Sequence, residues 1–373
     1  MLSATTRLLI GLLFVFAGIG DGTAETAGQQ RTLYAVNQAP GIRGSISVYD
    51  IDARHRLIKT IQTASWVRDV KGVAASAVTG RLYVSYRDIL GRGRIFCLDI
   101  ETDKILWNQR ISPGVDRLAV SPDGNLLYVP TWEGNSADFI NIVNAATGEI
   151  ERKVYFSSHS HDTQYPPSGP IFQETKAEDG SGNYLYIIDP SSYAVSRVGP
   201  YSNVLGPYAV DGASRYVVNN VVQLWGMQVA DLRNGKIVTA TAPNHPPGDP
   251  GLLHGIGWTP DESEVWQTGG DGEEYVWDMR DPMSPQFKRS LKLQNRDSAH
   301  WVTFSINGDF GYVAPVKNTD GPTEIFSVAT HMPAGAIGSS EDMIEIDFAD
   351  GKIVRVGDQY GIGRRPKREL ADR

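Results

Sequence analysis

Seven times along the chain a short apolar strand runs into an Asp or Asn, a polar turn follows, and a second strand leads away. The copies are VYDIDARHRLIKTI (48–61), CLDIETDKILWNQRI (97–111), IVNAATGEIERKVYF (142–156), IIDPSSYAVSRVG (187–199), VADLRNGKIVTAT (229–241), VWDMRDPMSPQFKRSLKL (276–293) and EIDFADGKIVRVG (345–357). Their anchors, Asp50, Asp99, Asn144, Asp189, Asp231, Asp278 and Asp347, are spaced by 49, 45, 45, 42, 47 and 69 residues. Turn residues at a fixed offset between alternating strands mark hairpins. A period of 40–50 residues marks a repeat architecture, because one such unit cannot bury its apolar face alone.

A second hairpin precedes six of the seven, as in RLAVSPDGNLLYVP (117–130) and WVTFSINGDFGYVAP (301–315). Two hairpins make a four-stranded antiparallel blade, strands A to D, and seven such blades make an all-β, seven-bladed β-propeller over residues 31–370. The first repeat starts at RTLYAVN (31–37), which already reads as strand B. The leftover C-terminal stretch DQYGIGRRPKREL (358–370) is expected to supply the missing inner strand of blade one and so close the ring, removing open sheet edges.

RLAVSPDGNLLYVP with FINIVNAATGEIERKVYF resembles the YVTN-type, or YncE-like, propeller repeat family. More distantly, the chain resembles the large chains of amine dehydrogenases and lactonase-like propellers. The resemblance implies the fold. It leaves open an enzyme, a ligand-binding protein or a non-catalytic scaffold subunit with a periplasmic protein partner, because one fold hosts many activities.

Ahead of the repeats, Arg7 is followed by LLIGLLFVFAGIG and small residues at Gly22 and Ala24, the pattern of a secretory leader over residues 1–24. The apolar run is shorter than the ~20 residues a spanning helix needs, and no later stretch is suited to spanning a membrane. These features imply a periplasmic or secreted protein. Cys97 is the only cysteine, which excludes an internal disulfide and suits a buried thiol. With 43 acidic against 35 basic residues the net charge is −8, which argues against a nucleic-acid partner. No GxSxG elbow, P-loop, dinucleotide fingerprint or haem CxxCH is present. GGDGEE (269–274) reads as a B–C turn.

In a propeller the D–A and B–C connections emerge on one face. Residues opening strand A ring the channel mouth there: Lys71, Asp116, His161, Gly206, His254 and His300, with His159 two residues before His161. The long segments 242–253 and 317–342, the latter expected as the B–C loop of blade seven, fall on the same face, where function tends to sit. Three imidazoles and an open position, His161, His254 and His300, can hold one divalent zinc, manganese, iron or copper ion, with Asp116, Asp162 and Asp297 behind them. Without a metal the same histidines can bind a small molecule or act as a general base. A third reading is the polar rim of a water-filled channel. Lyase, hydrolase and oxygenase chemistry all stay open. Trp132, Trp225 and Trp301 can stack on a ligand, and Arg364 and Arg365 can clamp a carboxylate or phosphate from within the channel. Trp107, Trp258, Trp266 and Trp277 are expected between blades.

Overall fold

The repeated hairpins hold together through their own side chains. In six C–D turns the anchoring Asp or Asn accepts backbone N–H groups two or three residues on: Asp50 from Ala53, Asp99 from Thr102, Asn144 from Ala146 and Thr147, Asp189 from Ser191 and Ser192, Asp231 from Arg233 and Asp278 from Arg280. The A–B turns use the same device. Ser121 Oγ, Asp211 Oδ1, Thr259 Oγ1 and Ser305 Oγ accept the N–H groups that lead into strand B. Each turn thus fixes its hairpin register locally.

A computed structural model describes residues 28–364 apart from 38–42, 66, 132–134, 136, 157–158, 168, 176–182, 244, 246–252, 295–298 and 317–320. The leader at 1–24, Trp132, Asp297 and Arg365 lie outside the described residues. The chain forms seven antiparallel sheets in a ring, a seven-bladed β-propeller, with no α-helix among the described residues. Blades two to six follow the sequence reading. Blade three, for example, runs Ala119–Val120, Leu126–Val129, Phe139–Asn144 and Ile150–Tyr155. GGDGEE forms the expected B–C turn, with Gly269 N–H bonding the Glu273 carbonyl.

Blades seven and one depart from expectation. Strands C and D of blade seven are Thr323–Ser327 and Pro333–Ile337, within the segment expected to be a long loop. Its turn anchor is Ser327, whose Oγ accepts the Thr330 N–H. Ser327 lies 49 residues after Asp278, so the irregular spacing of 69 vanishes. The last Asp-anchored hairpin belongs to blade one instead. A C-terminal strand, Asp342–Ala349, closes the ring as strand A, pairing antiparallel with Gln29–Val36, and Lys352–Val356 adds a fifth strand beside it. The segment 358–370 was therefore the wrong choice of closing strand. Its described part, 358–364, crosses the channel as a plug.

The blades pack through apolar seams, each side chain set by the period-two alternation of its strand. Trp258 and Trp277 fill the seam of blades five and six, and Trp266 that of six and seven. Trp107 packs between blades two and three, as does Cys97, whose thiol burial pushes up to about 12. Within the channel the plug bonds five blades. Its Gln359 side chain accepts Val73 N–H and donates to the Leu118 carbonyl. Its Asp358 and Gln359 carbonyls accept Thr303 Oγ1 and Trp301 Nε1, at 2.9 and 2.8 Å. Gly361 O accepts Trp258 N–H and Gly363 N–H reaches Val210 O, at 2.8 and 3.0 Å. Gly361 has φ +66°, and a Cβ there would lie 2.9 Å from Gly257 Cα, so only glycine passes at this crossing.

Removing 358–373 is expected to leave a closed ring that has lost its plug and unfolds at lower urea concentration, whereas removing 342–373 deletes strand A of blade one and should abolish cooperative unfolding. Equal behaviour of the two truncations would contradict this closure. At the seam of blades seven and one, His55 Nε2 lies 3.0 Å from Tyr312 Oη and its ring meets Phe310 edge-on. Burial, and then the Arg31 guanidinium, push the His55 imidazole down to about 4. The native state therefore binds fewer protons than the unfolded chain between about pH 6.5 and 4, and stability is lost as pH falls through that window. Urea unfolding at pH 6.5 and 5 should show a His55 contribution of about 2 kcal/mol, absent in His55→Gln.

Candidate functional site

Strand A of each blade delivers its first residues to the channel mouth on the D–A face, and the expected residues gather there. His161 is the second residue of strand Ser160–Gln164, His300 the second of Ala299–Phe304, and His254 lies two residues ahead of Ile256–Trp258. The rings meet in two neighbouring pairs. His161 and His254 are 6.3 Å apart, edge to face, and His254 and His300 stack at 3.6 Å. Near-parallel rings at that spacing point their lone pairs side by side, so the three imidazoles do not converge as a single ligand set.

The compact ligand group is a different one. Among the described residues, Asp116, His161 and Asp162 are the group whose ligand atoms all lie within 4.8 Å of one another, and all three are buried. His161 Nδ1 is 3.1 Å from Asp162 Oδ1 and 3.3 Å from Glu174 Oε2, and Nε2 is 3.8 Å from Asp116 Oδ2. Asp162 also faces two buried phenols. Tyr208 and Tyr360 are both pushed well up, by burial first and by the Asp162 charge next.

The other two histidines are each held through Nδ1. His254 Nδ1 is 3.1 Å from the His300 carbonyl, which can only accept, so Nδ1 carries a proton. His300 Nδ1 is 2.9 Å from Glu341 Oε1. The same Glu341 oxygen takes Arg117 Nη2 at 2.8 Å, which favours the carboxylate and makes His300 Nδ1 the donor to it. Backing by a carbonyl or carboxylate is the support that fixes an imidazole for metal binding or base work.

Arg117 organises the rest. It is wholly buried, lies 3.4 Å from Asp342 and 3.3 Å from Gln359 Oε1, and stacks 3.5 Å above the Trp301 ring. Trp301 is thus core under a guanidinium. Trp225 stacks on His245 at 3.8 Å, beside Tyr275. Lys71 is buried in strand A of blade two, and His159 is half-buried just ahead of strand A of blade four. Arg364 sits at the other end of the channel, bonded to Asp358 at 3.1 Å, which removes it from this rim. The rim carries Asp116, Asp162, Glu174, Glu341 and Asp342, all buried, against the buried cations Arg117 and Lys71. That balance suits a cationic ligand.

Sequence reasoning missed Arg117, Glu174, Glu341 and Asp342. Arg117 adjoins Asp116 at the expected register position. Glu341 and Asp342 are the strand-A openers of blade one and become visible once Asp342–Ala349 is taken as its inner strand.

No family model matches the chain, and no curated protein matches it. The YVTN-type resemblance therefore gains no matching family model, and the comparisons carry the propeller fold. The solved structures it is similar to include the Myceliophteria thermophila Cps50 (Swd1) β-propeller domain, with 12% identity, TM-score 0.58 and coverage of 74% of this chain and 87% of that one. Dihydro-heme d1 dehydrogenase NirN in complex with DHE shows 14% identity and TM-score 0.55 over 88% of this chain and 75% of its own. Kuenenia stuttgartiensis hydrazine synthase shows 15% and 0.63 over 79% and 95%.

Arg117→Met should cost about 3–5 kcal/mol, the penalty of leaving buried carboxylates without their cation. A double-mutant cycle with Glu341→Met, read by urea unfolding, should return a coupling energy of at least about 1 kcal/mol. Additive behaviour would show that the cross-channel pair contributes nothing.

Proposed function

We propose that this chain is an exported propeller that binds a divalent cation at the D–A mouth of its channel, through Asp116, His161 and Asp162, and a small molecule beside it. The observation that carries the reading is the buried group of two carboxylates and one imidazole with ligand atoms within 4.8 Å of one another. Two carboxylates and an imidazole buried this close together make a set of oxygen and nitrogen donors around one point, which a cation can satisfy at once. One imidazole with two carboxylates suits manganese, iron(II) or zinc better than a soft copper(I) ion. Bound there, a cation would polarise a carbonyl or phosphoryl oxygen of a small molecule.

The chain's own residues supply the remaining parts. His300, held through Nδ1 by Glu341, would use its other ring nitrogen as a base toward a molecule bound at the rim. Glu341 and the His300 carbonyl fix the orientation of the His300 and His254 rings. Glu174, against His161 Nδ1, orients the imidazole. The leader-like segment at 1–24 and the single buried cysteine support a periplasmic or secreted site of action. The metal-free alternative, a His-lined ligand site in a scaffold subunit, keeps the rim but not the cation.

Metal analysis of protein purified from the exported fraction, followed by titration with zinc, manganese, iron(II) and copper(II), tests the reading. One equivalent of metal is expected, with His161→Gln and Asp162→Asn each lowering affinity at least about tenfold, while His254→Ala keeps the metal. Wild-type protein that takes up none of the four ions stoichiometrically would exclude the cation site.

A further inference from the structure

The plug divides the channel, and the described residues leave space at the end away from the histidines. There a cavity of about 290 Å³ opens between the inner strands of blades two and three, the start of blade four and the plug. Its walls include Val73, Ala75, Leu118, Ala119, Ile344 and Ile362. Gln359 and Tyr360 form the partition, since they line this cavity while Gln359 also bonds Arg117 on the histidine side. We infer that this cavity is a second binding site, for a neutral aromatic alcohol of one or two fused rings, separate from the cation site.

The lining chemistry sets the ligand class. Small side chains on the innermost strands leave the volume, and ligand sites are concave, apolar and supplied with few polar groups. The polar atoms in the walls are already engaged. Gln359 bonds Val73, Leu118 and Arg117, and Ser121 Oγ bonds its own turn. Asp358 accepts Tyr360 N–H, Ile362 N–H and Arg364. The pairing of Arg364 with Asp358 cancels the charge of both, so nothing here selects an ion.

Tyr165 is the exception. It is half-buried at the edge of the cavity, its ring packs into the seam of blades three and four and meets Tyr128 edge-on at 5.4 Å, and its hydroxyl makes no hydrogen bond among the described residues. An aromatic edge with one hydroxyl not used among the described residues matches a flat molecule carrying a single hydrogen-bonding group. Ala119 pairs with Tyr128 across the strands of blade three and lines the same side of the cavity.

Calorimetric titration of the full chain with 2-naphthol is the test. Saturable one-to-one binding is expected. Ala119→Phe should weaken it at least tenfold by filling the space, and Tyr165→Phe by a smaller factor. Ala77→Phe, in the half-exposed A–B turn that also lines the cavity, gives the same readout if Ala119→Phe fails to fold. His300→Ala should leave binding unchanged. No saturable binding, or binding unaltered in the filled variants, overturns the proposal; so does binding lost only with His300→Ala, which would place the ligand on the histidine rim.

Discussion

Arg117 crosses the channel. It starts in blade three, stacks on Trp301 of blade seven, and ends on Glu341 and Asp342 at the mouth of blade one. Three sides of the ring are thus tied by one planar cation whose pairing partners lie more than 200 residues away in sequence. Burial alone would favour a neutral group, and the two carboxylates outweigh it and keep the guanidinium charged. Everything nearby is positioned by this contact: Glu341 orients His300, the carbonyl of His300 orients His254, and Gln359 is held at the partition.

The closing of the ring is a separate device. Strand Asp342–Ala349 pairs with Gln29–Val36 over eight residues, joining the two ends of the folded chain in one sheet. At that seam Arg31 meets Glu345, Asp309 and Asp52, while burial drives Glu345 up to about 7. Closure by pairing and clamping by Arg117 act at different depths. The first spans the sheet from face to face, and the second acts only at the mouth.

Much of the fold was legible because it is written locally. An Asp or Asn at a strand end bonding N–H groups two or three residues on is a property of four consecutive residues, and it identified six blades. The seventh escaped because Ser327 holds the turn where Asp was expected, while Asp347, in a segment resembling a C–D hairpin, bonds Arg355 instead. The anomalous spacing was the signal that a hairpin had been passed over. At the site, strand-A openers predicted which histidines share the rim, since position in a blade fixes position around the channel. Which of them come within ligand distance depends on side-chain directions across blades. The spacing of His161, His254 and His300 says nothing of the stack between the last two, or of the turn of His161 toward Asp116 and Asp162.

The plug also determines how the molecule can be attached to anything else. The described chain enters at Gly28, bonded to Asp350 in the turn after strand A of blade one, and leaves at Arg364 beside the cavity, so both ends emerge on the A–B face. The histidine rim faces the opposite way. An affinity handle or a surface linkage at either end would therefore present that rim outward, and immobilised protein should keep its histidine mouth open to solution without any engineered spacer.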